Sequence, residues 1–201
     1  MIFYLPEARD RALLPHDPMK ALIAPRPIGW ISTMDRDGRV NLAPYSFFNQ
    51  FGSAPPIVGF SSETEKDSAA FAATTGEFTW SLATLALKDA MNATSAALPR
   101  GASEFEHAGL EAAPSRVVKP PRVARSPAAL ECKVVDVIAL KDVAGRRTGA
   151  VLTLGQVVGV HLDEDYVRGG RFDTARAAPL ARCGYMDYAV ADRLFELDRP
   201  A

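Results

Sequence analysis

The fold is decided by residues 25–49, which read PRPIGWISTMDRDGRVNLAPYSFFN. Residues 28–33 are rich in β-branched and aromatic side chains and predict a strand. Residues 35–38 predict a turn, because Gly38 can adopt a positive φ. Residues 40–43 predict the returning strand, and we expect Pro44 to end it, since proline lacks an amide hydrogen. The stretch therefore predicts a β-hairpin that leads into a loop rich in small hydroxyl and aromatic residues.

The rest of the chain continues this mainly β pattern. Further strands are predicted at 57–61, 78–84, 128–140 and 150–161. Helices are predicted at 68–75, at 85–97 and after a capping box at 103–106. Asp67 or a neighbour is expected to cap the first of these helices, and Gly76 to end it. Gly155 and Gly159 inside a strand indicate strong curvature. We therefore expect a small antiparallel barrel with peripheral helices.

Length and charge limit the classes of protein that need to be considered. The chain has 201 residues, which predicts a single domain over 1–201, with a lead-in at 1–24 and a tail at 189–201. Its net charge of −1 gives no basic excess for nucleic acid, and no segment has the composition of a membrane anchor. Residues 112–127 contain several prolines, and we expect them to cover the barrel. Leu22 and Ile23 are expected to dock on the core.

The cysteine and histidine pattern argues against metal and disulfide chemistry. The chain has two cysteines, Cys132 and Cys183, without a CxxC motif or zinc-ligand spacing. A reduced, cytoplasmic protein is therefore expected. No Ser/His/Asp, HExxH or GxGxxG pattern is present, so no catalytic side chain and no Rossmann nucleotide site are predicted.

Lys66, Asp67 and Ser68 begin a predicted helix just after Ser61 and Ser62 end a strand. Helix N-termini offer unpaired amide hydrogens and positive potential, so this junction is a candidate phosphate site. The alternative is a capped helix with a solvated lysine.

The loop at 41–49 is a candidate slot for a flat ring with polar edges. Ser46 and Asn49 can form hydrogen bonds with such a ring, and Phe47 and Phe48 can flank it. The alternative places these aromatic side chains in the core, which is also what we expect of Trp30. Ser32 and Thr33 end the first strand and can point into the same site.

Three further residues are candidates for a second ligand. His161 ends a long strand where a barrel rim is expected, and Arg182 and Tyr185 lie in the C-terminal segment. Arg182 suits a phosphate or carboxylate, or else a surface ion pair. His16 and His107 are interpreted as structural or solvated.

Three segments together resemble the flavin reductase-like family of FMN-binding split barrels. They are RPIGWIST at 26–33, NLAPYSFFN at 41–49, and Ser61-Ser62 followed by Lys66-Asp67-Ser68. The resemblance implies a six-stranded antiparallel Greek-key split barrel and a homodimer with flavin near the interface. It implies that FMN, or alternatively FAD, is lined by Ser32, Thr33, Ala43, Ser46, Phe47 and Asn49, and that Ser61, Ser62, Lys66 and Ser68 hold its phosphate.

The resemblance also implies an activity, with one departure. The implied activity is NAD(P)H-dependent reduction of flavin, with hydride passing to flavin N5, and a flavin-dependent monooxygenase is an implied partner. Short reductases of this family carry a Gly-Asp-His motif linked to NADH, whereas the comparable segment here, residues 155–161, reads GQVVGVH. A flavin carrier or sensor without turnover, and a barrel that binds no flavin and serves as an interaction module, therefore stay open as alternatives.

Overall fold

A computed structural model describes residues 1–64, 66–99 and 102–200. Along the chain the strands are β1 (Arg26–Pro27), β2 (Gly29–Met34), β3 (Val40–Tyr45), β4 (Phe48–Ser53), β5 (Pro56–Ser62), β6 (Glu77–Ser81), β7 (Ala112–Ala113), β8 (Arg122–Val123), β9 (Ala128–Lys141), β10 (Arg147–Leu162), β11 (Val167–Arg168), β12 (Arg171–Phe172), β13 (Leu180–Gly184) and β14 (Asp187–Val190). The α-helices are α1 (Met19–Leu22), α2 (Asp67–Thr75), α3 (Lys88–Ala93), α4 (Glu104–His107) and α5 (Thr174–Ala177).

The main sheet has seven antiparallel strands in the order β3-β2-β6-β9-β10-β5-β4. The two strands at its ends, β3 and β4, are consecutive in the chain and are separated only by Ser46 and Phe47. The Ser61 amide donates to the Phe47 carbonyl over 2.8 Å, which ties this junction to β5. We expected six strands; the seventh is β4, which lies partly in the stretch interpreted as a loop.

The predicted hairpin forms, but Pro44 does not end its second strand. The registers of β2 and β3 pair Trp30 with Pro44 and Gly29 with Tyr45. Because β3 lies at one end of the strand order, the missing amide hydrogen of Pro44 removes no bond that the sheet needs. The return strand therefore continues to Tyr45.

The barrel interior is filled by aromatic and aliphatic side chains. Phe60 and Phe78 meet edge to face at 5.4 Å between ring centroids, and Gly155 leaves room for the Phe78 ring. The buried members of this cluster are Ile31, Tyr45, Phe48, Val58, Phe60, Ala72, Phe78 and Cys132. Strand β10 therefore carries Gly155 at a position where the close approach of an aromatic ring requires glycine.

A second core lies between the sheet and the segment that follows β6. Trp30 is fully buried there, as expected, and its indole Nε1 donates to Thr94 Oγ1 over 3.0 Å. The helix predicted at 85–97 is shorter: a 3-10 turn at Leu85–Leu87 precedes α3. The strand predicted at 78–84 ends at Ser81. The segment thus packs as several short pieces.

Residues 112–127 cover the barrel, as expected, and a buried carboxylate holds them there. Glu131 accepts hydrogen bonds from the amides of Arg116, Val117 and Val118 at 2.8, 2.6 and 2.9 Å, and His161 Nε2 lies 2.5 Å from its Oε1. Burial alone raises the pKa of this carboxyl, but these hydrogen bonds outweigh it and lower the pKa to about 2. Glu131 is therefore an ionised structural anchor.

The lead-in and the C-terminal segment pack on each other. Strand β13 pairs with both β1 and β14, so the hairpin β13–β14 extends into the predicted tail. Gly184 adopts a φ of +93° and lies directly against the backbone of Ala21 in α1. Leu22 and Ile23 were expected to dock but are exposed, because the contact is made by Ala21 instead.

Candidate functional site

An open cavity of about 460 Å³, called the principal cavity below, lies where β3 and β5 end and α2 begins. The segment at 94–98 forms its far wall. Ten residues were predicted to contact the flavin, and seven of them line this cavity. They are Ala43, Ser46, Phe47, Ser61, Ser62, Lys66 and Ser68. The segments that are separate in sequence are therefore neighbours in space.

The other three residues predicted to contact the flavin do not line the cavity; they are Ser32, Thr33 and Asn49. Ser32 and Thr33 are fully buried, and their hydroxyls have no hydrogen-bond partner among the described residues. Asn49 is exposed on β4, where its side-chain oxygen accepts from the Gln50 amide. Phe48 is buried and stacks on Trp80 with 5.6 Å between ring centroids. The loop thus contributes Ser46 and Phe47 to the cavity but not Phe48 or Asn49.

The N-terminus of α2 lies at the edge of the cavity, which Lys66, Asp67 and Ser68 line. Lys66 is the residue before the helix, and no side-chain cap is formed there; Asp67, expected as a possible cap, lies in the first turn instead. The first-turn amides and the Lys66 ammonium provide positive potential at this edge of the cavity, and the Asp67 carboxylate in the same turn partly offsets it. Ser61, Ser62 and Ser68 add hydroxyl groups beside it.

A hydrogen-bond chain connects α2 to α4 through β3. Ser68 Oγ donates to Asn41 Oδ1 over 2.5 Å, and Asn41 Nδ2 donates to Glu104 Oε1 over 3.0 Å. The other carboxylate oxygen of Glu104 accepts from the Leu42 amide over 3.1 Å. A phosphate-binding role was predicted for Ser68 but no individual role for Asn41 or Glu104, because no local pattern indicates a contact across more than sixty residues.

Tyr45 lies beneath these hydroxyls. Its side chain is buried, and its Oη has no hydrogen-bond partner of normal geometry among the described residues. Burial raises the pKa of the Tyr45 phenol, and the nearby hydroxyls of Ser68 and Ser62 oppose that shift only in part. The phenol is therefore a neutral donor at the base of the cavity.

The lead-in reaches the opposite edge of the cavity. Lys20 Nζ lies 3.3 Å from Glu63 Oε1 and 5.4 Å from the centroid of the Phe47 ring. The Arg26 guanidinium lies 5.9 Å from the same centroid and donates to the carbonyls of Lys20 and Ile23. The Lys20 ammonium and the Arg26 guanidinium are thus both within cation–π distance of the Phe47 ring, which also lines the cavity.

The three residues nominated for a second ligand do not line the principal cavity. His161 contacts Glu131, as described above. The Arg182 guanidinium donates to the Tyr185 carbonyl and lies 4.5 Å from the centroid of the Tyr188 ring. Tyr185 packs edge to face on His16 at 6.0 Å between ring centroids. Each of these side chains therefore has a structural partner.

The described residues contain neither a cluster of metal-ligating side chains nor a membrane-spanning helix. Within 1–64, 66–99 and 102–200, no group of three or more metal-ligating side chains comes together. None of the helices in that part of the chain is long and apolar enough to cross a membrane.

The fold and the cavity define a class: an antiparallel barrel with a cavity at one end, beside a helix N-terminus that has no side-chain cap. The model of the flavin reductase like domain matches residues 21–178 of this chain. The chain therefore belongs to the flavin reductase-like family, and it has that family's split-barrel fold.

Relatives and solved structures agree with this assignment. An uncharacterised protein of Deinococcus radiodurans is 39% identical over 194 residues, which cover 90% of this chain and 82% of the relative. The structure of nitrilotriacetate monooxygenase component B from Bacillus cereus is similar with a TM-score of 0.89, 28% identity and 98% of each chain covered. The structure of 2-nitrobenzoate 2-nitroreductase from Pseudomonas fluorescens, at 21% identity, shares the fold with a TM-score of 0.85, covering 100% of this chain and 96% of that one.

The residues of the principal cavity fit a flavin mononucleotide. The cavity has a volume of about 460 Å³, within the range of roughly 300–1,000 Å³ typical of small-molecule sites. The uncapped end of α2 with Lys66 suits a phosphate, and the unpartnered Tyr45 hydroxyl beneath it leaves a donor available. Ser46 and Phe47 supply a polar edge and an apolar face at the other end.

Proposed function

We propose that this protein binds FMN in the principal cavity and catalyses NAD(P)H-dependent reduction of flavin. The observation that carries the proposal is the junction of α2 with β5. There an uncapped helix N-terminus, Lys66 and the hydroxyls of Ser61, Ser62 and Ser68 face the same cavity as Ser46 and Phe47. Such a junction has the donors that a phosphate ester requires.

Different residues of the chain hold the phosphate and the ring of the cofactor. The α2 amides, Lys66 and the Ser61 hydroxyl hold the phosphate. The hydroxyls of Ser62 and Ser68, which donate to the Thr64 carbonyl and to Asn41 Oδ1 in this structure, turn toward the phosphate when it binds. Ala43, Ser46 and Phe47 hold the ring and the sugar-alcohol chain. Bound FMN supplies a hydride acceptor at its N5 atom. The protein positions the two rings and excludes water, and no side chain is required as an acid or base.

A flavin carrier or sensor without NAD(P)H turnover is the second candidate. The favouring observation is that His161, Arg182 and Tyr185, nominated for the nicotinamide, all lie outside the principal cavity. His161 is also bonded to Glu131, at the position where the family's short reductases carry a different motif.

A visible spectrum decides between these candidates. Purified protein is mixed with FMN under anaerobic conditions, and NADH and then NADPH are added. We expect a shifted flavin spectrum on binding and its bleaching by one nucleotide. A bound spectrum that neither nucleotide bleaches favours the carrier, and the absence of any bound spectrum contradicts both.

The phosphate assignment is tested by Lys66→Ala. We expect this variant to bind FMN about tenfold more weakly, because an ammonium–phosphate contact at a helix N-terminus contributes about 1–2 kcal/mol. Its affinity for riboflavin, which lacks the phosphate, is expected to be unchanged. The control is Lys141→Ala, an exposed lysine outside the cavity lining. Equal losses for FMN and riboflavin, or none for FMN, contradict the assignment.

The proposal extends to partners and location. We propose a homodimer, supported by the exposed apolar residues Val135, Val137, Ile138 and Leu140 of β9. A flavin-dependent monooxygenase is the proposed consumer of reduced flavin, supported by the similarity to a monooxygenase component. A cytoplasmic location is proposed because Cys132 and Cys183 are both unpaired thiols.

A further inference from the structure

Three cations lie close together where the lead-in meets the hairpin β13–β14, beside the principal cavity. Lys20 lines the cavity, and its ammonium lies 5.4 Å from the centroid of the Phe47 ring. The Arg26 guanidinium lies 5.9 Å from the same centroid, and Arg182 is the cross-strand partner of Arg26. Directly opposite residues of an antiparallel pair share one face of the sheet, so the two arginines place their charges on the same side.

Few negative charges balance these three cations. Among the described residues, the one ion pair that any of them forms joins Lys20 to Glu63, with 3.3 Å between Nζ and Oε1. Arg26 and Arg182 donate to backbone carbonyls instead. Like charges on directly opposite residues destabilise a sheet, and here no carboxylate of the described chain neutralises them. This edge of the cavity therefore has an excess of positive charge that attracts an anion.

Arg26 also has a donor without an acceptor. The residue is 8% exposed, and its Nε is buried with no hydrogen-bond partner among the described residues. Buried charged groups are ordinarily paired as well as hydrogen-bonded, because an uncompensated buried charge is unfavourable. This unpaired donor is independent of the charge excess and indicates the same missing group, an anion near the Phe47 ring.

Lys20 is the cation that such an anion can reach. Its backbone is held in place, since its carbonyl accepts from the Arg26 guanidinium and Gly184 lies against the neighbouring Ala21. Its side chain is 54% exposed and that of Glu63 is 65% exposed. An ion pair as exposed as this one contributes little stability, so another carboxylate can replace Glu63 beside the ammonium.

We propose that Lys20 binds the carboxylate of a small aromatic acid, which is a second ligand of the protein beside the flavin. Arg26 and Arg182 add positive potential, and Arg26 also positions Lys20. The half-exposed Phe47 ring and a flat flavin ring favour a flat ligand, and the positive charge selects a negative one. This inference rests on the proposed function, since it requires the flavin ring to lie beside Phe47 in the principal cavity.

Benzoate and benzamide are suitable probes, because the two molecules differ in the charge of one substituent. Each is titrated into the protein saturated with FMN, and the change in the visible flavin spectrum is recorded. We expect benzoate to bind at least about fivefold more tightly, because only its carboxylate forms an ion pair with Lys20. Added salt is expected to weaken the binding of benzoate and to leave that of benzamide unchanged.

Two substitutions with opposite expected effects test the ion pair. Lys20→Gln is expected to weaken benzoate binding about fivefold, and Glu63→Gln to strengthen it about threefold, since the latter removes a competing carboxylate. Neither is expected to change benzamide binding, and FMN binding by each variant shows that it folds. The control is Lys88→Gln. Lys88 matches Lys20 in exposure, at 53%, and in being paired with a carboxylate, that of Asp89, but it does not line the principal cavity.

The outcomes separate this inference from the proposed function. No binding of FMN overturns the proposed function and this inference with it. FMN binding with equal affinities for benzoate and benzamide overturns this inference alone. If Lys20→Gln lowers the affinity for FMN but not for riboflavin, the cations serve the flavin phosphate. If it raises the KM for NADH and leaves benzoate binding unchanged, they serve the nicotinamide donor. Either of these results overturns the assignment to an aromatic acid.

Discussion

Glu131 shows how one side chain fixes a segment that has little secondary structure of its own. Alternation along β9 places it on the face opposite Leu130 and Cys132, where a solvated carboxylate is the ordinary expectation. The side chain is instead 1% exposed and is surrounded by three backbone amides and the ring of His161. Burial of an ionised group is tolerated here because each carboxylate oxygen is hydrogen-bonded.

Replacing this carboxylate is expected to destabilise the fold. In Glu131→Gln the side-chain NH2 group faces backbone amides that also donate, so at least one buried donor loses its acceptor. We expect the free energy of unfolding to fall by about 3 kcal/mol, measured by urea denaturation. Glu111→Gln, at an exposed glutamate just before residues 112–127, is the control. Equal midpoints for the two variants contradict this account.

The same carboxylate makes stability depend on pH. Its pKa is about 2 in the folded chain against an ordinary value of 4.5. As pH falls, the unfolded chain takes up the proton first, so the contribution of Glu131 is complete above about pH 4.5 and is lost toward pH 2. We expect wild-type stability to fall more steeply than that of Glu131→Gln in this window, by about 3 kcal/mol in total. Parallel curves contradict the prediction.

At the scale of elements, composition and alternation predicted the strands that are marked by their own few residues. The hairpin of β2 and β3, and the strands β5, β9 and β10, lie within a few residues of their predicted bounds. Strand β4 was missed because Asn49, Gln50 and Gly52 do not alternate, and its register is interrupted between Gln50 and Gly52. The pairing of β1 with β13 joins Arg26 to Arg182, and no local pattern can indicate so distant a partner.

The contact between α1 and β13 depends on one glycine. In Gly184→Ala, the new Cβ would lie 2.7 Å from the Ala21 backbone at a φ of +93°. We expect the lead-in to detach, so that trypsin cleaves after Lys20 at least about fivefold faster, because local opening controls cleavage. Gly38→Ala is a matched control, since its φ is +84° but nothing lies within 4 Å of its Cβ position. Equal cleavage rates in both variants contradict a specific contact.

At the scale of the whole molecule, the principal cavity is assembled from several elements. Ala43, Ser46 and Phe47 come from a single motif, and Ser61 to Ser68 from a second, so their grouping was predictable once the two motifs were recognised. Asn41 and Tyr45 lie in the predicted slot at 41–49 but were given no individual role, and Glu104 was missed, because their contacts result from packing of α2 and α4 against β3. Motifs thus predicted the contiguous parts of the site, and packing decided the rest.

The exposed part of β9 is the surface on which the proposed homodimer depends. Val135, Val137, Ile138 and Leu140 are each more than a third exposed. Ile138 and Leu140 share one face of the strand, and neighbouring exposed apolar side chains on one face are typical of a covered interface. Light scattering during gel filtration is expected to give twice the chain mass of 21.6 kDa. Ile138→Lys is expected to give the monomer, because a buried ammonium without a partner is unfavourable. Val143→Lys, at a fully exposed valine of the β9–β10 turn, is expected to remain dimeric. A wild-type monomer at every concentration, or a dimer that survives Ile138→Lys, contradicts this interface.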